Sequence, residues 1–420
     1  MPNPETTKAI LAEVNQEQLV QMCCDLVNIP SPTGEELEMA RYMRGAFEQM
    51  GLRVTWQEVE DGRPNVIGTL VGAGPDKSET GGGKQLMFNG HMDTSNSGRE
   101  PFLTGIGYKP RAILKDGMIF GLGIYNMKGA LACYCQALQA VMRAKVKLAG
   151  DVMIAAVVGE IEKTQYGEEF TGKEYRGYGA GSHYLVCHGF VPDTCILGEP
   201  TDMKLVLGHY GTLWVRLATR GHYVHTGFTS GKLAQNAIRR VHDVLGAVWE
   251  WIPTWEARTA YGNKRGVVNP GCIRAGHPWR ASRTPDTAEV FLDVRVPPTM
   301  PLADARREIE QLVRGLQARF PDYGIEWETI VSAPGAEIRP DHPMVRALDA
   351  NHAAVTGARP ERDTVLWGSD ASVLTRYGIE TVNYGPSSGP RDAQGEKVAI
   401  ETLVHITKVY ALTIADLCAS

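Results

Sequence analysis

Residues 85–94 read QLMFNGHMDT, a short apolar run that empties directly into a glycine, a histidine and an aspartate. A brief continuous apolar run is the mark of a strand buried on both faces, and such strands lie in sheets covered by helices. The same grammar recurs along the chain. Asp151–Val158 is a continuous apolar strand ending in GEIEK, Thr194–Leu197 ends in GEPTD, and Thr364–Gly368 ends in Ser369–Asp370. Helical segments separate them, notably Met127–Lys145 and Gly179–His188. Strands alternating with helices make an α/β sheet, and open sheets of this kind carry their sites at the carboxyl ends of strands.

Upstream, Gln16–Asn28 and Glu35–Met50 have helical spacing, the second closed by Gly51. Leu52–Val59 and Asn65–Val71 read as strands, followed by a Gly-rich loop from Gly72 to Gly83. Near Gly208 the pattern changes. Thr212–Thr219, Val267–Ala275, Ala288–Val296 and Gly324–Ile330 read as strands, with helices at Leu233–Trp251 and Leu302–Phe320. That β-α-β-β-α-β order is the order of a ferredoxin-like α+β domain. After Pro334 the first grammar resumes, with helices Pro343–Val355 and Ile400–Leu417 around the strand Glu380–Tyr384. Two domains suit a chain of 420 residues, which is long for a single core.

With 43% hydrophobic and 22% charged residues, the composition is that of a soluble globular protein. A net charge of −5 argues against nucleic acid or anionic lipid as the main partner. The start, MPNPETTKAILAEVNQEQL, lacks the basic region and apolar core of a signal peptide, and no run approaches membrane-spanning length. The eight cysteines sit mostly in apolar stretches such as LACYCQAL, without zinc-ribbon spacing, and read as buried reduced thiols. A cytoplasmic enzyme is expected.

The strand ends carry the candidates for chemistry. His91, directly after a buried strand and with Asp93 two residues on, reads as a metal ligand, the carboxylate fixing its tautomer. Glu160, at the end of an apolar strand, is placed to be desolvated, which raises a carboxyl pKa toward the range of a general base. Glu162 beside it reads as a solvated loop residue. Glu199 is a carboxylate at the next strand end. Asn126 lies on the glycine-spaced turn GLGIYNMKGA, residues 121–130. Its amide oxygen can ligate a cation, but it carries no charge, and taken alone the residue is equally well a turn-former. His91 and Glu199, with Asn126 as a weaker third, make a donor set suited to zinc, manganese or iron(II). His225 in GHYVHTG is placed to donate a hydrogen bond to a developing oxyanion. Arg280, Arg283 and Arg376 are carboxylate clamps or solvated surface charges, and Ser369 is a further substrate-binding candidate at a strand end.

In order along nearly the whole chain, GHMDT, GLGIYNMKG, VVGEIE, GEPTD, GHYVHTG, GSDA and GP resemble the motifs of the zinc aminoacylase and carboxypeptidase superfamily. That superfamily includes acetylornithine deacetylases, succinyl-diaminopimelate desuccinylases and glutamate carboxypeptidases. The resemblance implies a zinc-peptidase-like catalytic metallohydrolase domain over residues 1–207 and 332–420, with a lid and dimerisation domain over 208–331. It also implies a homodimer or higher homo-oligomer formed through the lid, and two zinc ions sharing a bridging aspartate. Position by position, His91 and Glu199 match ligands of the first metal. Asp93 matches the residue that orients the histidine, Glu160 the general base, and His225 the histidine that reaches into the partner subunit's site.

The chain departs from that pattern in four places. Asn126 stands where the family has the bridging aspartate, and Ile161 where the second metal has a glutamate. The C-terminal histidine ligand is replaced by Asp392 in a gapless alignment on GEKV, or by Gln394 in a shifted one. Ser282 replaces the lid asparagine. These departures imply one loosely held divalent ion, manganese or zinc, and a substrate needing less Lewis-acid help than an amide carbonyl. The expected substrate is a small carboxylate, with an electron-poor aromatic amine as the specific case. This resembles the aminohydrolase branch that converts 5-nitroanthranilate to 5-nitrosalicylate and ammonia. The alternatives are an N-acyl-amino-acid deacylase or dipeptidase whose second metal is rescued by Asp392 and Glu162, and a catalytically inactive binding relative.

Overall fold

A computed structural model describes residues 2–73, 84–165, 174–389 and 392–419. The chain divides into two units. The first comprises the residues up to Leu207, Glu337–Asp363 and those from Ser369 onward; the second comprises Gly208–Ala336 with Thr364–Gly368.

In the first unit, the strands Val152–Val157, Leu86–His91 and Thr194–Leu197 lie side by side in a nine-stranded mixed sheet. All three run parallel, and Glu380–Asn383 adds a fourth in the same direction. His91 pairs with Val157, and Asn89 with Leu197, so the residues following these strands emerge along one edge. The hairpin Arg53–Glu60 and Arg63–Leu70 joins antiparallel to Val152–Val157. Every residue of the two central strands is buried, which is what their unbroken apolar runs demand.

Below the sheet lies the helix Gly129–Arg143, buried around most of its circumference and packed on Ile400–Cys418. The rings of Phe88, Tyr134 and Tyr410 meet between strand and helices with centroids 4.9, 5.2 and 5.4 Å apart. Each such contact adds about 0.5–1.5 kcal/mol beyond area burial. The Tyr134 hydroxyl donates to the Asn89 carbonyl at 2.9 Å and accepts from the Gly198 amide. One side chain thus ties together two strand ends. Gly198 has no room for a side chain, because a Cβ there would lie 2.4 Å from the Cβ of Ala130 and 2.6 Å from the Tyr134 hydroxyl.

The helix expected over Met127–Lys145 starts instead at Gly129. Residues 124–128 form a wider turn in which Asn126 (φ −125°, ψ 92°) and Met127 (φ −136°, ψ 33°) leave helical geometry. The strand expected at Thr364–Gly368 is found at Arg362–Val365. A helix at Pro4–Ala12 lies in the stretch read only as polar. Asn3 caps it by accepting from Thr6 N at 2.8 Å, but Ile10 alone is buried, so its apolar periodicity is weak. The Gly-rich loop expected from Gly72 to Gly83 lies outside the described residues beyond Ala73.

The second unit has a four-stranded antiparallel sheet in the order Val268–Ala275, Thr287–Val296, Gly211–Arg220, Glu326–Ala333. Helices Ala237–Arg258 and Leu302–Arg319 complete the β-α-β-β-α-β chain order. Burial alternates along Thr287–Val296, with Val290, Leu292 and Val294 joining Val244, Val248, Ile309 and Val313 in a core separate from that of the first unit. This is the ferredoxin-like insertion expected from the sequence. Among the described residues, no helix is long and apolar enough to cross a membrane.

Candidate metal centre

His91 closes its strand fully buried, and its two ring nitrogens face different chemistry. Nδ1 lies 2.9 Å from the backbone carbonyl of Asp93 and 3.6 Å from that residue's carboxylate. A carbonyl can only accept, so Nδ1 carries a proton, and Nε2 is the nitrogen that would face a cation once its own proton is lost. Nε2 faces three oxygens: Asn126 Oδ1 at 3.1 Å, Glu160 Oε2 at 3.7 Å and Glu199 Oε1 at 3.9 Å. Glu199 Oε1 is buried and has no hydrogen-bond partner among the described residues. Convergent lone pairs with a desolvated carboxylate oxygen are a site built for a cation, and one nitrogen with several oxygens suits a divalent transition metal. The donor atoms of His91, Glu160 and Glu199 all lie within 4.8 Å of one another.

The charges around this point are unbalanced. Burial pushes the Glu160 carboxyl well up, and the carboxylates of Glu199, Asp370 and Asp93 push it further. Burial also raises Glu199 to about 7, with His91 pulling the other way. Asp370 is raised to about 6 by burial, against a hydrogen bond from Ser182. Burial works against charging His91, but Glu199 and Asp93 outweigh it and hold its pKa up. A buried carboxylate cluster with a single imidazole for compensation is stabilised by a bound cation.

Asp93 does more than face His91. Its carboxylate accepts from Thr33 Oγ1 at 3.0 Å, from Glu160 N at 3.2 Å and from Ile161 N at 3.3 Å. It therefore fixes the loop that carries Glu160. Ile161 is buried and apolar.

Asp392 is not brought to this cluster, contrary to its expected role as the replacement ligand. Its half-exposed carboxylate takes Lys397 Nζ at 2.5 Å and the backbone N of Gln394 at 2.8 Å. Lys397, five residues away, is the nearer and cheaper partner for an exposed carboxylate. Arg376 is exposed on the short helix Thr375–Tyr377. Ser369 is buried, and its hydroxyl accepts from Ala371 N at 3.3 Å at the start of the helix Ala371–Leu374. His225, Arg280 and Arg283 belong to the second unit. There the exposed His225 accepts from Gly227 N at 3.1 Å and forms a backbone bridge with Arg283, whose guanidinium lies over Tyr223.

Two acids escaped the sequence reading. Asp370 is buried and accepts from Ser182 Oγ at 2.6 Å, and Ser182 in turn accepts from Asn89 Nδ2 at 2.8 Å. Its place in GSDA, at the end of the expected strand, was the available signal. Glu396 accepts the backbone N–H groups of Tyr125 and Asn126, both at 3.2 Å, and no local pattern marks it.

The chain is similar over 97% of its length to N-formyl-4-amino-5-aminomethyl-2-methylpyrimidine deformylase of Bacillus subtilis (strain 168), with 26% identity and 96% of that protein covered. A succinyl-diaminopimelate desuccinylase of Gluconacetobacter diazotrophicus is also 26% identical, over 92% of this chain and 94% of that one. Among solved structures, aminopeptidase PepT from Bacillus cereus superposes with a TM-score of 0.71 at 20% identity, covering 96% of this chain and 99% of that one. Human carnosine dipeptidase 1 gives 0.73 at 14% identity, covering 99% of each. With the profile of peptidase family M20/M25/M40 matching residues 87–416, the chain belongs to that family of hydrolases.

Proposed function

We propose that this metal-dependent C–N hydrolase works with one divalent ion, manganese or zinc, held by His91, Glu199 and the amide oxygen of Asn126. The observation that carries the proposal is the convergence on His91 Nε2 of one amide oxygen and two carboxylates, with the charge at position 126 missing. The neutral, buried Ile161 and the pairing of Asp392 with Lys397 support a single ion over two. When bound, the ion supplies Lewis acidity toward water and substrate.

The chain's own groups do the rest. Glu160, its pKa lifted by burial and neighbouring carboxylates, takes the proton of the attacking water and returns it to the departing nitrogen. Asp93 holds Glu160 through that residue's backbone N–H and holds His91 through the carbonyl. His225, which the resemblance matches to the histidine reaching into the partner subunit's site, stabilises the charged intermediate. Arg280, Arg283 or Arg376 anchors the substrate carboxylate by two parallel hydrogen bonds, with Ser369 as a further substrate-binding residue and oligomerisation through the second unit.

For substrate, the weakened electrophilic assistance favours an electron-poor aromatic amine bearing a carboxylate. The specific reading is hydrolysis of 5-nitroanthranilate to 5-nitrosalicylate and ammonia, whose ring takes up the charge of the attacking water. The second reading is hydrolysis of an N-formyl or N-acyl amide, favoured by the deformylase and desuccinylase relatives. Turnover measured during a metal titration tests the proposal. One ion per chain with release of ammonia from 5-nitroanthranilate supports the first reading. Turnover confined to formylated or acylated amines supports the second, and two tightly held ions would sink the one-ion centre.

A further inference from the structure

We infer that Glu396 is the positioning residue for Asn126: its carboxylate seats the turn that aims the Asn126 amide oxygen at His91. This rests on the reading of Asn126 as a ligand. Neutral ligands gain little from Coulomb attraction, so their affinity depends on being held in place before the ion arrives. Asn126 has extended backbone geometry inside residues 124–128, a wide turn closed by Lys128 N on the Gly123 carbonyl and Gly129 N on the Ile124 carbonyl, neither of which engages the Asn126 amide. What holds it comes from elsewhere. Glu396 Oε2 accepts both Tyr125 N and Asn126 N at 3.2 Å, and the Gly123 amide also bonds to this carboxylate. Successive backbone N–H groups gathered on one anion form a nest, and here the anion is the protein's own.

Two further contacts pin the flanks of the turn. The Tyr125 hydroxyl donates to Asp202 at 3.1 Å, and Lys128 Nζ donates to the carbonyls of Leu26 at 3.1 Å and Ile29 at 2.7 Å. Of these three anchors, Glu396 is the one bonded to Asn126 itself. Its own backbone is fixed as well. Gly121 N donates to the Glu396 carbonyl at 3.2 Å, and a Cβ on Gly107 would lie 2.2 Å from that oxygen. The next residues, Lys397–Ala399, pair with Met118–Phe120. The C-terminal segment that supplies the family resemblance with a metal ligand thus supplies this chain with a brace for another ligand.

The test uses the full chain, manganese(II) alone as the probe, and backbone amide exchange at Tyr125 and Asn126 in the metal-free protein. Glu396→Ala should speed that exchange and weaken manganese binding about tenfold, within the range typical of residues that orient a ligand. Glu396→Gln keeps an acceptor oxygen and should recover most of both. Added to Asn126→Ala, Glu396→Ala should cost no further affinity, because both changes act on one interaction. Unchanged exchange, or losses that add in the double variant, would overturn the inference. If Glu396→Ala fails to fold, exchange in the Gln variant decides, a residual rise upholding the inference and none overturning it. If Asn126→Ala binds manganese as tightly as the unaltered protein, the ligand role of Asn126 fails. Exchange at Tyr125 and Asn126 in Glu396→Ala then decides the role of Glu396 alone.

Discussion

The two halves of the candidate metal centre differ in the charge they offer a cation. On one side, His91, Asp93 and Glu199 are buried and ionisable, and Asp93 accepts three hydrogen bonds that tie it to Thr33 and the Glu160 loop. On the other, every position where the family resemblance expects a charged ligand is neutral or engaged elsewhere: Asn126, Ile161, and Asp392 on Lys397. The proposed base, Glu160, sits with the first half. A site can lose a second ion while keeping its base, because Glu160 is held by Asp93 and by its own strand end, both outside the altered half.

The sharpest way to break this comparison is to remove the base. Glu160→Ala should lower kcat by about a hundredfold to ten-thousandfold, the usual contribution of a positioned general base. The circular dichroism spectrum should stay unchanged. Residual activity within a few-fold of the unaltered enzyme would take Glu160 out of that role. Next in size is restoration of the missing charge. Asn126→Asp places a carboxylate 3.1 Å from His91 Nε2 in place of an amide, and manganese affinity should rise about tenfold or more by isothermal titration. An unchanged dissociation constant would mean that the residue is not a ligand.

How far the sequence could carry this depended on the range of the interactions. Strands such as Thr194–Leu197 and helices such as Gln16–Asn28 announce themselves through local apolar periodicity, and both lie where that periodicity puts them. His91, Glu160 and Glu199 were legible for the same reason, since each follows a buried strand and parallel strands share a carboxyl edge. Glu396 was not. It earns its place by meeting backbone amides some 270 positions earlier in the chain, and its position in GEKV served as an alignment anchor without signalling that contact. Asp392 shows the converse limit, because alignment matched a position and could not see that Lys397 lies 2.5 Å from its carboxylate.

A smaller effect lies in the pH dependence of stability without metal. In the folded chain the Glu199 carboxyl is raised to about 7 and Asp370 to about 6, and Glu160 is also raised, all chiefly by burial. In the unfolded chain they titrate near about 4. Between those values the folded state binds protons that the unfolded state does not. The stabilisation is therefore complete below the unfolded values and is lost as pH rises through 6 and 7. Lys128, lowered to about 7 by burial, opposes this trend only at higher pH. The melting temperature of metal-free protein should thus fall from pH 5 to pH 7, and saturating manganese should flatten the slope. A metal-free melting temperature that climbs over that interval would show that these carboxyls are not crowded.

The smallest expected effect is the most discriminating between one ion and two. Asp392→Ala removes a half-exposed carboxylate whose partners are Lys397 and the amide of Gln394, and exposed pairs of this kind contribute little. If the second half of the centre is truly lost, manganese affinity and stoichiometry should stay within about twofold of the unaltered enzyme, the scatter of a surface substitution. A large loss of affinity would mean that Asp392 leaves Lys397 to join the ion. The two halves would then differ in readiness and not in kind, with the alignment right about the residue and the metal-free geometry showing only where it waits.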